Sequence, residues 1–326
     1  MQLVLDTNGL KLTKRNRSFY VQHKSKGRRM ISPHRITSIA VVADCLISTA
    51  ALRLAGKHSI PVHFCQRNGR AEASVYSTGY GSIATLRRRQ ILMADTENAT
   101  ALIVQLFGWK TAGQIEHLRS LADKTKETES YLSQQYQKMR KLLPGRLDDL
   151  RSSLLGLEGS SGRAYWQTMG RVVPANWMFT GRSRQPARDA FNSMLNYCYG
   201  ITYNVVEGAI HNAGLDPFLG FFHTDEYQRP TLTYDLIEPF RPWVDQFITE
   251  LTAQHPLPAQ TWFTTSGEGI WLSKRGRKFV VPQYNDFLAE RLTWRSYTTN
   301  RRNHIYRFIR QFAPAIRNGE HLSGQL

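Results

Sequence analysis

The sequence predicts an α+β protein, with a small β-rich N-terminal domain over residues 1–82, a larger all-α domain over 83–313 and a tail over 314–326. Three observations carry this. Apolar residues alternate with period two only in the first eighty or so positions, as half-buried strands require. The Gly- and Ser-punctuated connector STGYGS at 77–82 ends that pattern. Apolar residues then recur at helical spacing as far as position 312, with a clean break at Pro144-Gly145.

The elements follow in order. Leu3, Leu5, Leu10 and Leu12 alternate around an Asn8-Gly9 turn, and SFYV, ITSIAVV and IPVHF read as further strands. One helix over 47–58 interrupts them, with Leu46, Ala50 and Leu54 in its apolar stripe. Helices are then expected over 83–94, 100–107, 111–125, 129–143, 147–155, 158–169, 187–212, 232–253, 283–292 and 298–312. The text GIWLSKRGRKFVV at 269–281 reads as a hairpin whose tip carries Lys274, Arg275 and Arg277, either as an ordinary solvated turn or as a finger on a phosphate backbone. No internal repeat is evident, and the last dozen residues read as a loose tail.

With 326 residues, 41% of them hydrophobic, the chain can bury one large core or two smaller ones, which excludes a disordered protein. Lys and Arg number 43 against 25 Asp and Glu, giving a formal charge of +18 and a pI near 10.1. A polyanion is the partner such a balance suits, nucleic acid first. Of that charge, +10 falls in the first 82 residues, so both parts are basic enough to touch a long duplex. The runs KLTKRNR and HKSKGRR serve either as charged edges that oppose aggregation or as DNA contacts.

The N-terminus lacks a charged segment followed by an apolar one, so no secretory signal is expected. The longest apolar stretch, 36–56, is broken by Asp44 and Arg53, so no membrane span is expected either. Cys45, Cys65 and Cys198 form no CxxC pair, which suits reduced thiols in a cytoplasmic protein and gives no zinc signature.

The richest stretch chemically is GFFHTDEYQRPTLTYDLIEPFRP at 220–242. Asp235 and Glu238 stand at i and i+3 on a predicted helix, leaving one face about 60° apart, where they could converge on one cation. His223 could join them from the preceding turn, and Glu158 sits among the small residues of LGLEGSSGRAYW. Imidazole and two or three carboxylates suit Mg²⁺ or Mn²⁺. The spacing alone also fits a solvated acidic helix face and a structural histidine.

The run NSMLNYCYGITYNVVEGAIHNAGLDPFLGFFHTDEYQRPTLTYDLIEPFRP resembles the CRISPR-associated integrase and endonuclease family, whose members insert new spacers into CRISPR arrays; LDPFLGFFH and DLIEPFRP are its most specific segments. The resemblance covers almost the whole chain and is only generic in the N-terminal half. It implies a β-rich N-terminal domain that dimerises and a helical C-terminal domain that holds the active site. Double-stranded DNA is the implied substrate, both as incoming fragment and as CRISPR repeat, and a small partner protein is implied to bridge two homodimers. The implied reaction is attack by a free 3′-OH on a phosphodiester, with Mg²⁺ or Mn²⁺.

Carried over position by position, the implied metal ligands are Glu158, His223 and Glu238. Asp235 matches an acidic position that accompanies them, as a group behind the ligands or an occasional extra ligand; it is otherwise a charge near a helix start. Arg241 pairs with one of these carboxylates or holds a phosphate. Arg163, five positions after Glu158, and Arg182, Arg184 and Arg188 of GRSRQPAR are expected DNA contacts. Arg301, Arg302, Arg307 and Arg310 form a basic helix face that binds DNA or docks the partner. Tyr165, Trp166, Asn196 and Tyr197 match aromatic and amide positions of the family, with core packing as their ordinary role.

Three other readings remain at this point. A casposon-type integrase shares the site, although those proteins commonly carry an extra C-terminal DNA-binding module for which a chain ending at Leu326 has no room. A branched-DNA repair nuclease would use water in place of the 3′-OH. A basic DNA-binding scaffold would need no catalysis, and the presence of all three ligand residues argues against it.

Overall fold

Two separate apolar clusters divide the chain, one drawn from positions 3–62 and the other from positions 86–316. The computed structural model describes residues 1–25, 27–66, 71–77, 84–121, 125–223, 229–267 and 269–318. Most of the connector at 77–82 and residues 319–326 of the expected tail lie outside the described residues.

The first cluster is built by β1 (Gln2–Leu5), β2 (Leu10–Arg15), β3 (Ser18–His23), β4 (Gly27–Ile31), β5 (Ser38–Val41), β6 (Cys45–Ile47), α1 (Thr49–Lys57), β7 (Val62–Cys65) and β8 (Ala71–Val75). These strands form two four-stranded sheets, ordered β1-β5-β7-β8 and β4-β3-β2-β6. The Asn8-Gly9 turn therefore does not close a hairpin. It passes the chain from one sheet to the other, with Gly9 at φ +81° and its amide on the Asp44 carbonyl at 2.8 Å. Leu5, Leu12, Phe19, Ile39 and Val62 are buried with Leu54 and Ala55 of α1, each large side chain contributing about 1.5–3 kcal/mol. Ser48 caps α1 by accepting the Ala51 amide at 3.2 Å. Leu46 falls in β6 and is exposed, not in the helix stripe.

The second cluster is helical: α2 (Ala84–Ala94), α3 (Glu97–Leu121), α4 (Lys126–Lys141), α5 (Leu147–Val172), α6 (Ala190–Ala213), α7 (Thr231–Leu236), α8 (Arg241–Gln254), α9 (Lys274–Ala289) and α10 (Arg301–Asn318). Two pairs of predicted helices are single helices, α3 and α5. Tertiary packing overrides the weak local propensity of their glycines; Gly108 in α3 faces Tyr136 of α4, where a Cβ would lie 2.4 Å from the phenol oxygen. Helix α6 is buried almost all round and forms the axis of this half, running against α8 and α10.

The predicted helix 232–253 is broken in the structure. Pro239 and Pro242 each lack an amide for the helical ladder, so α7 stops at Leu236 and a 3-10 turn, Glu238–Phe240, intervenes before α8. The expected hairpin at 269–281 is also replaced. β10 (Gly269–Leu272) pairs back onto β9 (Phe263–Ser266), and Ser273 caps α9, so the basic text becomes the first turns of a helix. A second hairpin, β11 (Arg291–Trp294) with β12 (Tyr297–Asn300), turns through Arg295 and Ser296 at φ 52° and 61°, the twist that two-residue hairpins favour. The helical half thus carries two short hairpins that the predicted all-α reading lacked.

The two halves meet along α6 and α10. Tyr76 donates to Glu207 at 2.8 Å, Asn204 reaches the Cys65 sulfur at 3.6 Å, and Arg302 bonds Thr37. Among the described residues no helix is long and apolar enough to cross a membrane.

Candidate active site

Three elements converge on one ammonium. Lys110 projects from α3, Glu158 from α5 and Glu238 from the 3-10 turn; Lys110 Nζ lies 2.6 Å from Glu158 Oε1 and 2.7 Å from Glu238 Oε2. The other Glu238 oxygen accepts Arg241 Nε at 2.7 Å, and Arg241 Nη2 donates to the Tyr203 hydroxyl at 2.7 Å. Glu238 is 5% exposed. Burial works to raise its carboxyl, but Arg241 and then Lys110 outweigh burial and hold it down at about 2. Burial likewise works against the Lys110 charge, and Glu238 and Glu158 overcome it, keeping the ammonium above its ordinary value.

His223 is held by Asp235. The buried carboxylate takes the Phe221, Phe222 and His223 amides at 2.7, 3.1 and 3.1 Å and His223 Nδ1 at 2.7 Å. A carboxylate only accepts, so Nδ1 carries the proton and Nε2 of the neutral ring keeps its lone pair. The carbonyls of the same turn are held by Arg151, whose Nη1 donates to Phe221 at 3.1 Å and also to Phe222. At the start of the turn Gly220 lies so close to Thr231 that a Cβ would meet its side chain at 2.7 Å.

This geometry corrects the reading of Asp235 and Glu238 as a convergent pair. They lie on successive elements, and both Asp235 oxygens are engaged by the histidine turn, the placement expected of a group behind the ligands. Among the described residues no three His, Cys, Asp or Glu side chains are gathered closely enough to hold a metal ion; Glu158 and Glu238 close on Lys110. The donor chemistry nonetheless fits a hard divalent cation: two carboxylates already on one positive charge, and an imidazole whose Nδ1 is fixed by a carboxylate.

The predicted basic residues divide. Arg163, Arg184, Arg188, Lys274 and Arg275 are exposed, and Arg277 is half-buried, donating to the Leu272 carbonyl at 2.9 Å. Arg182 is turned inward, donating to Asn192 at 2.9 Å and lying over the Tyr199 ring at 5.4 Å, where burial lowers its guanidinium. Arg301 and Arg302 are corrections. Both are buried: Arg301 lies 3.6 Å over the Phe287 ring and pairs with Glu290 at 2.9 Å, while Arg302 holds Thr37 and, at 3.0 Å, Asn285. An amphipathic helix directs its first-turn residues by where the core lies, and these two arginines face α9, its C-terminal end and the residue just before β5 instead of solvent. Tyr165 is buried and its hydroxyl lies 2.7 Å from His117 Nδ1; Asn196 and Tyr197 line a small pocket against Trp271.

Sequence reasoning missed Lys110, Arg151 and Tyr203. Only Lys110 left a signal: a lone cation inside the apolar run ALIVQLFGWKTAG, where an unpaired charge is costly.

The family model described as CRISPR associated protein Cas1 matches residues 3–286 of the chain. The chain belongs to this family. Among its relatives is a CRISPR-associated endonuclease Cas1 of Archaeoglobus fulgidus, 31% identical over 258 residues that cover 74% of each protein. A CAS1 protein from Thermotoga maritima superposes with a TM-score of 0.82 at 20% identity, covering all of both chains. A casposase bound to integration product superposes at 0.80 and 20% identity, covering 98% of this chain and 91% of the other. At such identities the structural likenesses establish a shared fold. The predicted α+β class and the predicted family are those of the Cas1 proteins.

Proposed function

We propose that this Cas1-family chain is a divalent-metal-dependent DNA endonuclease and integrase that joins the 3′-OH of an incoming fragment to a CRISPR repeat. The observation that carries the reading is the closure of Glu158 and Glu238 on a single cation, together with a histidine near enough to influence Glu238 and held by Asp235 through Nδ1. The proposed ligands are Glu158, His223 and Glu238, with Mg²⁺ or Mn²⁺ as the ion. Bound there, the ion supplies Lewis-acid charge to the phosphoryl oxygens and eases deprotonation of the attacking hydroxyl.

The chain's own residues do the rest. Asp235 fixes the histidine tautomer, and Arg241 keeps Glu238 ionised. Exposed Arg163, Arg184, Arg188, Lys274 and Arg275 supply phosphate contacts that align the duplex without reading its sequence. No covalent enzyme intermediate is needed, because one phosphodiester is exchanged for another. The working assembly is proposed as a homodimer paired through a small partner protein.

The test is strand transfer: protein, Mg²⁺ or Mn²⁺, a duplex with free 3′-OH ends and a plasmid bearing a CRISPR repeat, set beside Glu158→Ala and an EDTA control. Joined product that disappears in both controls supports the reading. Joining that survives Glu158→Ala removes the site assignment, and metal-dependent cutting without joining favours a nuclease. The casposase likeness favours one other reading, a transposon-type integrase; equal joining into plasmids with and without the repeat would select it.

A further inference from the structure

Lys110 belongs to neither the predicted ligand set nor the predicted DNA-binding surface, yet its ammonium is the group on which Glu158 and Glu238 meet. Two contacts of 2.6 and 2.7 Å reach different carboxylates from different elements, while the side chain itself is 11% exposed. An ammonium so far removed from water is held by its two anions. The two anions, in turn, are held close together by it. A divalent cation taking the same oxygens would sit within a few ångströms of this positive charge, so the two cannot share the pair in this geometry.

We propose that Lys110 is the resident counter-ion of the Glu158–Glu238 pair and competes directly with the divalent metal, so that metal enters only as the ammonium leaves. This rests on the reading of the pair as a metal site. Nζ lies 5.9 Å from the centre of the Phe107 ring, an aromatic face within cation–π range. Phe107 packs edge-on against Phe222, which packs against the His223 ring, so the lysine and the histidine turn are in one contiguous packing unit. Lys110 is therefore a positioning residue. It holds the carboxylates in register without metal and sets the metal concentration at which they are released.

The experiment is a Mn²⁺ titration of the full chain, read by the electron paramagnetic resonance signal of free aqueous Mn²⁺, together with melting curves with and without the metal. Lys110→Met keeps the stem and removes the charge; we expect Mn²⁺ to bind about tenfold to a hundredfold more tightly, the range that groups supporting a metal site command. Its metal-free form is expected to melt lower, from carboxylate repulsion, with Mn²⁺ closing the gap. Lys110→Arg keeps the competitor and is expected to gain no affinity, and Lys110→Gln replaces the Met variant should that fail to fold. Affinity in the neutral variants equal to or weaker than wild type overturns the proposal, since a purely structural lysine would not tighten metal when removed. Glu158→Gln and Glu238→Gln separate the two levels. If wild-type binding survives both, the metal-site reading fails and the Lys110 proposal with it; if binding is lost in both yet Lys110→Met gains nothing, the Lys110 proposal alone fails.

Discussion

Asp235 holds His223 by two hydrogen bonds, from the ring Nδ1 and the His223 amide, and takes two more from the amides of Phe221 and Phe222, all four onto one buried carboxylate. The arrangement fixes the position of the histidine and its tautomer together. Asp235→Asn leaves one accepting oxygen for four donors and sets an NH₂ group against amides. We expect a loss of about 2–3 kcal/mol in unfolding free energy and Mn²⁺ binding weaker by about 10- to 100-fold. Urea melts and metal titration of the same preparation check both, and unchanged metal affinity would show that His223 needs no orienting partner.

Gly220 opens the same turn. Its amide donates to Thr231 Oγ1 at 3.0 Å, and a Cβ would stand 2.7 Å from that oxygen and 2.9 Å from the Thr231 carbonyl carbon. Gly220→Ala must push the turn away from α7. Overpacking of this kind costs about 1–3 kcal/mol, and a displacement near 1 Å at a reacting centre costs about 100-fold in rate. The expected variant is folded and slow in strand transfer; full activity with an unchanged melting temperature would contradict the tight approach.

Exposed and buried arginines should separate by salt. Lys274→Ala and Arg275→Ala each remove an exposed charge from the first turn of α9, and each lost phosphate contact should lower the slope of log affinity against log salt by about 0.9 for duplex DNA. Arg302→Ala should leave that slope alone while lowering stability by about 1–3 kcal/mol, through its lost bonds to Thr37 and Asn285. Fluorescence anisotropy over a salt series distinguishes the two classes, and a changed slope for Arg302→Ala would return that residue to the DNA surface.

His63 sets an acid limit on the N-terminal sheet. Its ring is fully buried with Nδ1 2.9 Å from Ser74 Oγ, and burial, helped by His211, pushes it down from 6.5 to about 4. The unfolded chain therefore takes up this proton first as pH falls. The stability tied to the neutral ring is complete above 6.5 and is lost as pH falls toward 4, amounting to about 3 kcal/mol at most. His63→Asn should remove that dependence, so the stability difference between wild type and variant narrows between pH 7 and pH 4.5; parallel profiles would exclude His63 as the source.

How much of this was legible in the sequence depends on the range of the interaction involved. The strand-to-helix change near the STGYGS connector and the basic balance are local or additive properties, and they were readable directly. Glu158, His223 and Glu238 were reached through the wording of their motifs, and the structure brings Glu158 and Glu238 onto one cation. The helix expected over 232–253 failed because Pro239 and Pro242 interrupt its ladder, a local fact outweighed by the apolar spacing around it.

The sequence by itself determined the α+β division, the family and the residue types available for the site, because periodicity, composition and motif wording reside in the chain. Only the tertiary structure decided that Asp235 faces a histidine turn, that Arg301 and Arg302 are buried, and that Lys110, 48 positions from Glu158, is its partner. Each of these depends on which distant element packs against a given helix face. That choice is made by the shape of the whole core, and no local pattern encodes it.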